Sequence, residues 1–223
     1  MADPAGERRP TPQRVFERGG EEFVRVVTFS DGVFAIAMTL LVVEIAIPHL
    51  RHGGDEGELG RALGDLVPSF ISFAISFAVI GRYWFAHHDF FARLSAVDAR
   101  LIGLNLVYLG FIAFLPFPTG LLGNYFENAL SVAVYAATVA AVSGLEVVLF
   151  RRAFRAGLLR RAMPPAVYRW GTLQATAPVV FFLASVPLAF VSTVVAVAVW
   201  FLTVPIEIEL ERRKPAEADE YWS

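Results

Sequence analysis

Three polar side chains stand at the start of a long apolar stretch. Residues 25–48 read RVVTFSDGVFAIAMTLLVVEIAIP, and Arg25, Ser30 and Asp31 lie at or just inside the apolar region. An ionisable group in such a segment is costly, so it marks either a functional site or a paired structural role. A buried Asp that pairs with Arg and with hydroxyl or amide donors locks helices together. We therefore interpret Arg25, Ser30 and Asp31 mainly as a structural clamp.

Partners for this clamp come from later segments. Trp84, His88 and Asn105 are expected near the same membrane face as Asp31, and we predict that they complete the network. Because an unperturbed histidine side chain titrates near neutral pH, a pH-sensing role for His87 and His88 stays open. Adjacent histidines on a helix point about 100° apart, and no well-spaced third ligand follows them. Neither a metal site nor a cofactor is predicted.

The sequence does not indicate an enzyme or a nucleic-acid-binding protein. It contains no Cys, which excludes disulfides, thiolate metal sites and cysteine nucleophiles. No zinc motif and no serine or aspartate dyad with sensible spacing is present, although an enzyme needs such a convergent set. The net charge of -2 and the pI near 6.1 provide no basic surface for nucleic acid.

The composition is typical of a membrane protein. Hydrophobic residues make up 56% of the 223 residues and charged residues 18%, and the mean hydropathy is +0.56. A helix needs about 20 residues to cross ~30 Å of hydrocarbon. The pattern predicts an all-α membrane protein with six transmembrane helices, at residues 23–47, 66–86, 101–122 and 129–150 and in the uncharged stretch 170–206, divided near 187–192.

Charge predicts how the chain is oriented. Residues 1–22 and 207–223 are predicted to be cytoplasmic tails around a transmembrane domain at 23–206, the first tail lacking the apolar core of a signal peptide. Short cytoplasmic loops are enriched in Lys and Arg. With both termini inside, all of the nineteen Lys and Arg residues except Arg51 and Arg61 are cytoplasmic. We predict a multi-pass protein in the lipid bilayer of the cytoplasmic membrane, with Glu146 packed against a basic residue of the central link.

The first helix carries a longer, specific motif. The pattern Arg25-x-x-x-Phe29-Ser30-Asp31, continuing as GVFAIAMTLLVVEI, resembles the signature of the transmembrane protein 175 family of potassium channels. The YWFAHH and LNLVYLGFIAFLPFPT stretches support this resemblance, as do the six spans. The chain is similar to the short prokaryotic members, which have one six-helix unit. The resemblance implies a homotetramer with the first helix of each subunit lining a central pore. No other protein partner is predicted.

The resemblance also implies a hydrophobic constriction on this helix. The residues five, nine and twelve positions beyond the motif aspartate are Ile36, Leu40 and Val43. Helical spacing supports the assignment, since positions 36, 40, 43 and 47 form one stripe of a 3.6-residue helix. Apolar rings block ions by dewetting, and a modest rotation or dilation admits a hydrated or partly hydrated ion. The ring at Val43 is expected to be less tight than in the family members that have leucine at this position, because valine has a shorter side chain.

Selectivity must come from something other than a carbonyl filter. The sequence has no TVGYG-like loop. Thr39, one position from the stripe, is a candidate ion contact through its hydroxyl or carbonyl. Glu44, near the outer mouth, either raises the local cation concentration or points to a neighbouring helix. The resemblance and the apolar stripe imply a passive channel for potassium, and the absence of a carbonyl filter predicts only a moderate preference for that ion.

Other functions remain open at this point. A proton-conducting channel is the alternative within the same class, because the resemblance extends to channels that conduct protons. A secondary transporter is less favoured, since transporters usually contain an internal repeat and none is visible here. A structural membrane scaffold is the interpretation left if no flux is detectable.

Overall fold

Helices make up most of the chain. The computed structural model describes residues 15–48, 50 and 55–222, so most of the predicted N-terminal tail and Arg51 lie outside the described residues. The described elements, in chain order, are β1 (Val15–Glu17), α1 (Glu21–Leu40), a 3₁₀ turn (Leu41–Glu44), α2 (Glu56–Asp65), α3 (Val67–Ala92), β2 (Ala96–Asp98), α4 (Ala99–Phe114), α5 (Pro116–Asn124), α6 (Ala129–Arg155), α7 (Pro165–Ala189), α8 (Thr193–Trp200), α9 (Thr203–Arg212) and α10 (Ala216–Trp222).

Six segments of the described chain are long and apolar enough to cross a membrane, which confirms the predicted all-α architecture. The third span consists of α4 and α5, and the last consists of α8 and α9. α4 ends where Pro116 begins α5, because proline lacks an N–H and clashes with the preceding helical turn. The predicted division between the fifth and sixth spans is also confirmed, since Ser192 caps α8 after α7 has ended.

Several span boundaries differ from the predictions: the second span, expected to end at 86, continues to Ala92, and the fourth, expected to end at 150, continues to Arg155. The first span was expected to be helical to residue 47, but the α-helix ends at Leu40 and the 3₁₀ turn ends at Glu44. The N–H of Ile45 donates to the carbonyl of Val42 at 3.2 Å and closes the turn. Proline disfavours helical conformation in the residue before it, so Pro48 limits any extension. At the other end, the last span continues past 207 to Arg212.

A small sheet lies at one end of the bundle, which we call the terminal side because both described chain ends are there. β1 pairs antiparallel with β2, and Val15 lies opposite Asp98. The Arg18 guanidinium donates to the carbonyls of Phe91 at 3.3 Å and of Ala92 at 2.6 Å. These are carbonyls at the end of α3 that have no partner within the helix. Since β1 leads directly into α1, these contacts fix where the first helix begins.

An ion pair ties the same sheet to the most buried helix. Asp98 is buried, accepts a hydrogen bond from the N–H of Leu101 at 2.7 Å as the N-cap of α4, and pairs with Arg152 of α6. Arg160 donates its backbone N–H to the carbonyl of Arg93 at 2.9 Å. The links between α3 and α4 and between α6 and α7 are therefore joined to one another beside the start of α1.

Candidate functional site

α1 has one buried and one exposed face. The buried face includes Phe34 and Ala37 and packs against α3 and α4. Ile36 is 60% exposed, Leu40 43% and Val43 71%, although all three are apolar. The three residues predicted to form the constriction therefore share the face of α1 that its own chain leaves uncovered.

The exposed stripe does not continue as the predicted α-helical row. Ile36 and Leu40 lie on α1, whereas Val43 lies on the 3₁₀ turn and Ile47 lies beyond it. A 3₁₀ turn has 3.0 residues per turn, so Val43 stands directly above Leu40. The inclusion of position 47 in an α-helical stripe is wrong, because the helix has ended before that residue. The row of Ile36, Leu40 and Val43 is nevertheless preserved.

Small and hydroxylated residues accompany this stripe. Thr28, Gly32, Ala35 and Thr39 are exposed on α1. In membranes, small residues at a helix surface allow another helix to approach closely. The Thr39 hydroxyl donates to the carbonyl of Ile36 at 2.8 Å, so its proton is engaged and its oxygen lone pairs remain available. That geometry suits an oxygen that contacts a cation.

Glu44 lies on a different side of the chain from Thr39. Its carboxylate packs against Gly120 of α5, so closely that a Cβ at position 120 would collide with it. Ser69 of α3 and Thr119 of α5 line the same small pocket. Of the two predicted orientations of Glu44, the structure has the one toward a neighbouring helix.

The polar side chains on the buried face of α1 join a network from α3 and α4. The Trp84 indole N–H donates to an Asp31 carboxylate oxygen at 2.9 Å. The Asn105 amide donates to the Ser30 hydroxyl at 3.0 Å, and that hydroxyl donates to the carbonyl of Val26 at 2.8 Å. Three helices are thereby joined at the level where the apolar run of α1 begins.

His87 completes this network, a role that the sequence prediction gave to His88. Its Nε2 is 2.9 Å from the Asn105 side-chain oxygen, so Nε2 carries the proton when the amide nitrogen of Asn105 donates to Ser30. Its ring lies between Phe91, at a centroid distance of 4.4 Å, and Tyr108, at 5.7 Å. His87 is thus held as a buried, hydrogen-bonded ring.

His88 and two motif residues lie outside the network. The exposed His88 ring is 5.8 Å from the ring of Trp84, one turn earlier on α3. Arg25 bonds the exposed Glu22 at 3.2 Å rather than Asp31, because six residues along a helix place the two side chains about 120° apart. Phe29 is also exposed. Arg25 and Phe29 therefore belong to the exposed face of α1.

The spacing of residues on α3 contained a signal that identifies His87. Its buried positions recur every three or four residues: Ser69, Ser72, Ser76, Ile80, Tyr83, His87 and Phe91. This is the period of one helix face. A second hydrogen-bonded group uses the same face, since Ser76 bonds Tyr135 of α6 at 3.0 Å and accepts from Thr119 of α5 at 2.8 Å.

The region that carries the motif and the network matches a known family. The family model, described as the endosomal/lysosomal potassium channel TMEM175, matches residues 25–116. That region includes all of α3 and α4 and nearly all of α1. It therefore contains every residue of the exposed stripe and of the buried network described above.

Two related sequences support the same assignment. A Streptomyces collinus protein named as a potassium channel is 40% identical over 123 residues, which are 53% of this chain and 58% of that protein. A bovine protein named as the endosomal/lysosomal proton channel TMEM175 is 38% identical over 97 residues, 41% of this chain and 20% of that protein. The matched region spans less than two thirds of either relative.

A solved structure extends the likeness to most of the chain. The crystal structure of a lysosomal potassium-selective channel TMEM175 homolog from Chamaesiphon minutus superposes with a TM-score of 0.71 and 32% sequence identity. The superposition covers 87% of this chain and 99% of that one. The shared fold therefore continues well beyond the residues that the family model matches.

Proposed function

The chain belongs to the TMEM175 family, and on that premise we propose that it is a potassium channel rather than an enzyme. Four copies assemble around a central axis, with α1 of each copy lining the pore. The observation that carries this proposal is the exposed row of Ile36, Leu40 and Val43 on a helix whose opposite face is fixed by buried hydrogen bonds. The potassium channel relatives support the choice of ion.

In this assembly, the exposed row forms three stacked apolar rings. A ring of isoleucine or leucine excludes water when it is narrow, and ions cannot cross without their hydration. A small rotation or outward movement of α1 widens the rings and lets a hydrated or partly hydrated potassium ion pass. The 3₁₀ turn that carries Val43 lies at the end of α1, so the ring at Val43 can move separately from those at Ile36 and Leu40.

Moderate selectivity is assigned to Thr39. Its side chain is exposed beside the apolar row, and its oxygen keeps lone pairs for an ion while its proton is held by the Ile36 carbonyl. Four such oxygens in a tetramer form one ring of ligands. A single ring replaces only part of the hydration shell, so the preference for potassium over sodium is modest. No cofactor takes part, and potassium is the permeant ion.

The channel is proposed to lie in the cytoplasmic membrane with the terminal side inside. This side carries the basic links around Arg93 and Arg152 and the described chain ends. Lys and Arg are enriched in short cytoplasmic loops, and this enrichment supports the orientation. The copies of this chain and the surrounding lipid are the only partners that the proposal requires.

Proton conduction is the second candidate, favoured by the bovine relative's name. The chain from His87 through Asn105 and Ser30 ends at the backbone carbonyl of Val26, which has no proton to pass on. Protons would therefore have to cross through water between the apolar rings. A reversal potential that follows the pH gradient instead of the potassium gradient would favour the proton alternative.

The proposal is tested by ion flux through the purified protein in liposomes. With a potassium gradient as the only driving force, we expect a passive, potassium-preferring flux that does not saturate as carrier-mediated uptake does. Saturable uptake coupled to a second ion would instead indicate a secondary transporter. Absence of any flux in correctly inserted protein would contradict the channel proposal. A structural membrane scaffold would then be the remaining interpretation.

A further inference from the structure

A cavity of about 470 Å³ lies between α3, α6, α7 and α9, near the terminal side of the bundle. None of the described residues of α1 lines it, so it is separate from the exposed stripe. Sites for drug-sized ligands measure about 300–1,000 Å³. The cavity therefore has room for a small organic molecule.

The basic side chains that line the cavity already have acidic partners. These basic residues are Arg82, Arg93 and Lys214. Arg82 lies on α3, within the membrane-spanning part of the bundle, whereas Arg93 and Lys214 lie just beyond the ends of α3 and α9. The three pairs are Arg82 with Glu207 at 2.7 Å, Arg93 with Asp89 at 3.5 Å and Lys214 with Glu211 at 3.2 Å. Their positive charges are therefore largely neutralised before any ligand arrives.

One carboxylate in the lining is left over. Glu146 of α6 was expected to pack against a basic residue of the central link, but it faces the cavity and interacts with the charge of Arg82 on α3. Among the described residues, its carboxylate has no hydrogen bond and no ion pair. A carboxylate within a membrane-spanning helix is costly unless a partner compensates its charge. The lining therefore holds one carboxylate that is available to pair with a cationic group.

The other walls supply aromatic surface and unused polar groups. Phe85, Phe150 and Trp170 line the cavity. The Tyr108 side chain is 1% exposed, and its hydroxyl has no hydrogen-bond partner in the described part of the chain. Nη1 of Arg82 is also buried and has no hydrogen-bond partner among the described residues. Aromatic faces attract organic ammonium groups through their electron-rich surfaces, and a nearby carboxylate strengthens this attraction.

We propose that this cavity is a binding site for a small organic cation, namely a protonated amine that carries an apolar group. The ammonium group pairs with the Glu146 carboxylate, and the apolar group packs against Phe150 and Trp170. A hydrogen-bond acceptor on the ligand would meet the donors of Tyr108 and Arg82. Since binding is measured directly, the proposal does not depend on whether the protein conducts ions.

The test uses two probes of nearly equal size, 4-phenylbutylamine and 4-phenylbutanol, titrated into the purified full-length protein by calorimetry. We expect saturable binding of the amine, with affinity about tenfold or more above that of the uncharged alcohol, because a buried ionic contact is lost in the alcohol. Equal affinity for the two probes, or no saturable binding of the amine, would overturn the proposal and leave a cavity that holds only water.

Variants locate the binding. Glu146→Gln should weaken amine binding about tenfold or more and leave alcohol binding unchanged, whereas Glu209→Gln, which alters an outward-facing carboxylate of α9, should change neither. Ala175→Leu keeps Glu146 but fills part of the cavity, so it should weaken the binding of both probes. This variant also tests the site if Glu146→Gln fails to fold. Wild-type amine affinity in Glu146→Gln, or in a folded Ala175→Leu protein, would contradict this site.

Discussion

The two faces of α1 are built in opposite ways. On the buried face, Ser30 is part of a hydrogen-bonded chain that reaches Asn105 and His87. On the exposed face, Ile36 and Leu40 present apolar side chains that their own chain does not cover. A helix at the surface of a soluble protein shows the reverse arrangement. The difference indicates that the polar groups fix the position of α1, whereas the apolar groups are free to line a pathway.

The largest effect is expected from breaking the buried face. Asn105→Ala removes the partner of both Ser30 and His87, so the buried His87 ring loses its hydrogen bond and the Ser30 oxygen keeps only its bond to the Val26 carbonyl. The free energy of unfolding should fall by about 2–4 kcal/mol, measured by unfolding in mixed micelles. Asn124→Ala, which removes an exposed amide that bonds the carbonyl of Gly120, should cost far less. Equal losses would show that the network around Ser30 is not what holds α1.

The next effect concerns the exposed face. Ile36→Asn places polar amides in the proposed apolar constriction and reduces the cost of wetting it. Ion flux in liposomes should rise about tenfold, which corresponds to ~1.4 kcal/mol off the barrier, while the stability in micelles changes little. Val42→Asn is the matched control, because Val42 is also exposed but lies off the stripe, about one third of a turn from Val43. A similar rise in both variants would contradict the assigned constriction.

A smaller change is expected when the hydroxyl next to the stripe is removed. Thr39→Val keeps the shape of the side chain but removes the oxygen that is proposed to contact the ion. The permeability ratio of potassium to sodium should fall about threefold, the effect of losing one modest polar contact, while flux itself persists. Thr138→Val deletes a hydroxyl that likewise donates to a carbonyl of its own helix, that of Val134 on α6, and should leave the ratio unchanged. An unaltered ratio in Thr39→Val would remove Thr39 from the selectivity mechanism.

The smallest effect should follow a change at Glu44. Its carboxylate packs against Gly120, away from the exposed row, so Glu44→Gln should alter conductance by less than about twofold even at low ionic strength, where surface charge acts most strongly. Single-channel currents at low and high salt provide the measurement. A steep loss of current confined to low salt would mean that Glu44 concentrates cations at the pore mouth.

The sequence was sufficient to predict the spans and part of the network. The uncharged stretch divides just before Ser192, as predicted, and the third span covers the predicted residues 101–122. The predicted pairing of Trp84 with Asp31 is also present, as a hydrogen bond from the indole N–H to the carboxylate. These features follow from hydrophobic length, from proline and from the cost of isolated polar groups in a membrane. The roles of the exposed residues in conduction stay predictions.

Other features could not be predicted because they depend on which way a side chain points. Adjacent residues on a helix differ by about 100°. The spacing on α3 groups His87 with Ser76 and Tyr83, but the contact of this face with α4 became known only from the structure. Arg25 was predicted to join the clamp with Asp31, although the helix places the two side chains about 120° apart and Arg25 bonds Glu22 instead. The 3₁₀ turn after Leu40 has no clear sequence signal, and it sets the orientation of Val43.

The central claim is that the exposed face of α1 meets water and ions while the buried face does not. The protein has no native cysteine, so Ile36→Cys and Ala37→Cys place single thiols at adjacent positions, one on the exposed and one on the buried face of α1. A positively charged, water-soluble thiosulfonate reagent should change the current through Ile36→Cys channels within minutes and leave Ala37→Cys channels unaffected. Equal modification of the two variants, or an unchanged current in the modified Ile36→Cys protein, would contradict the account.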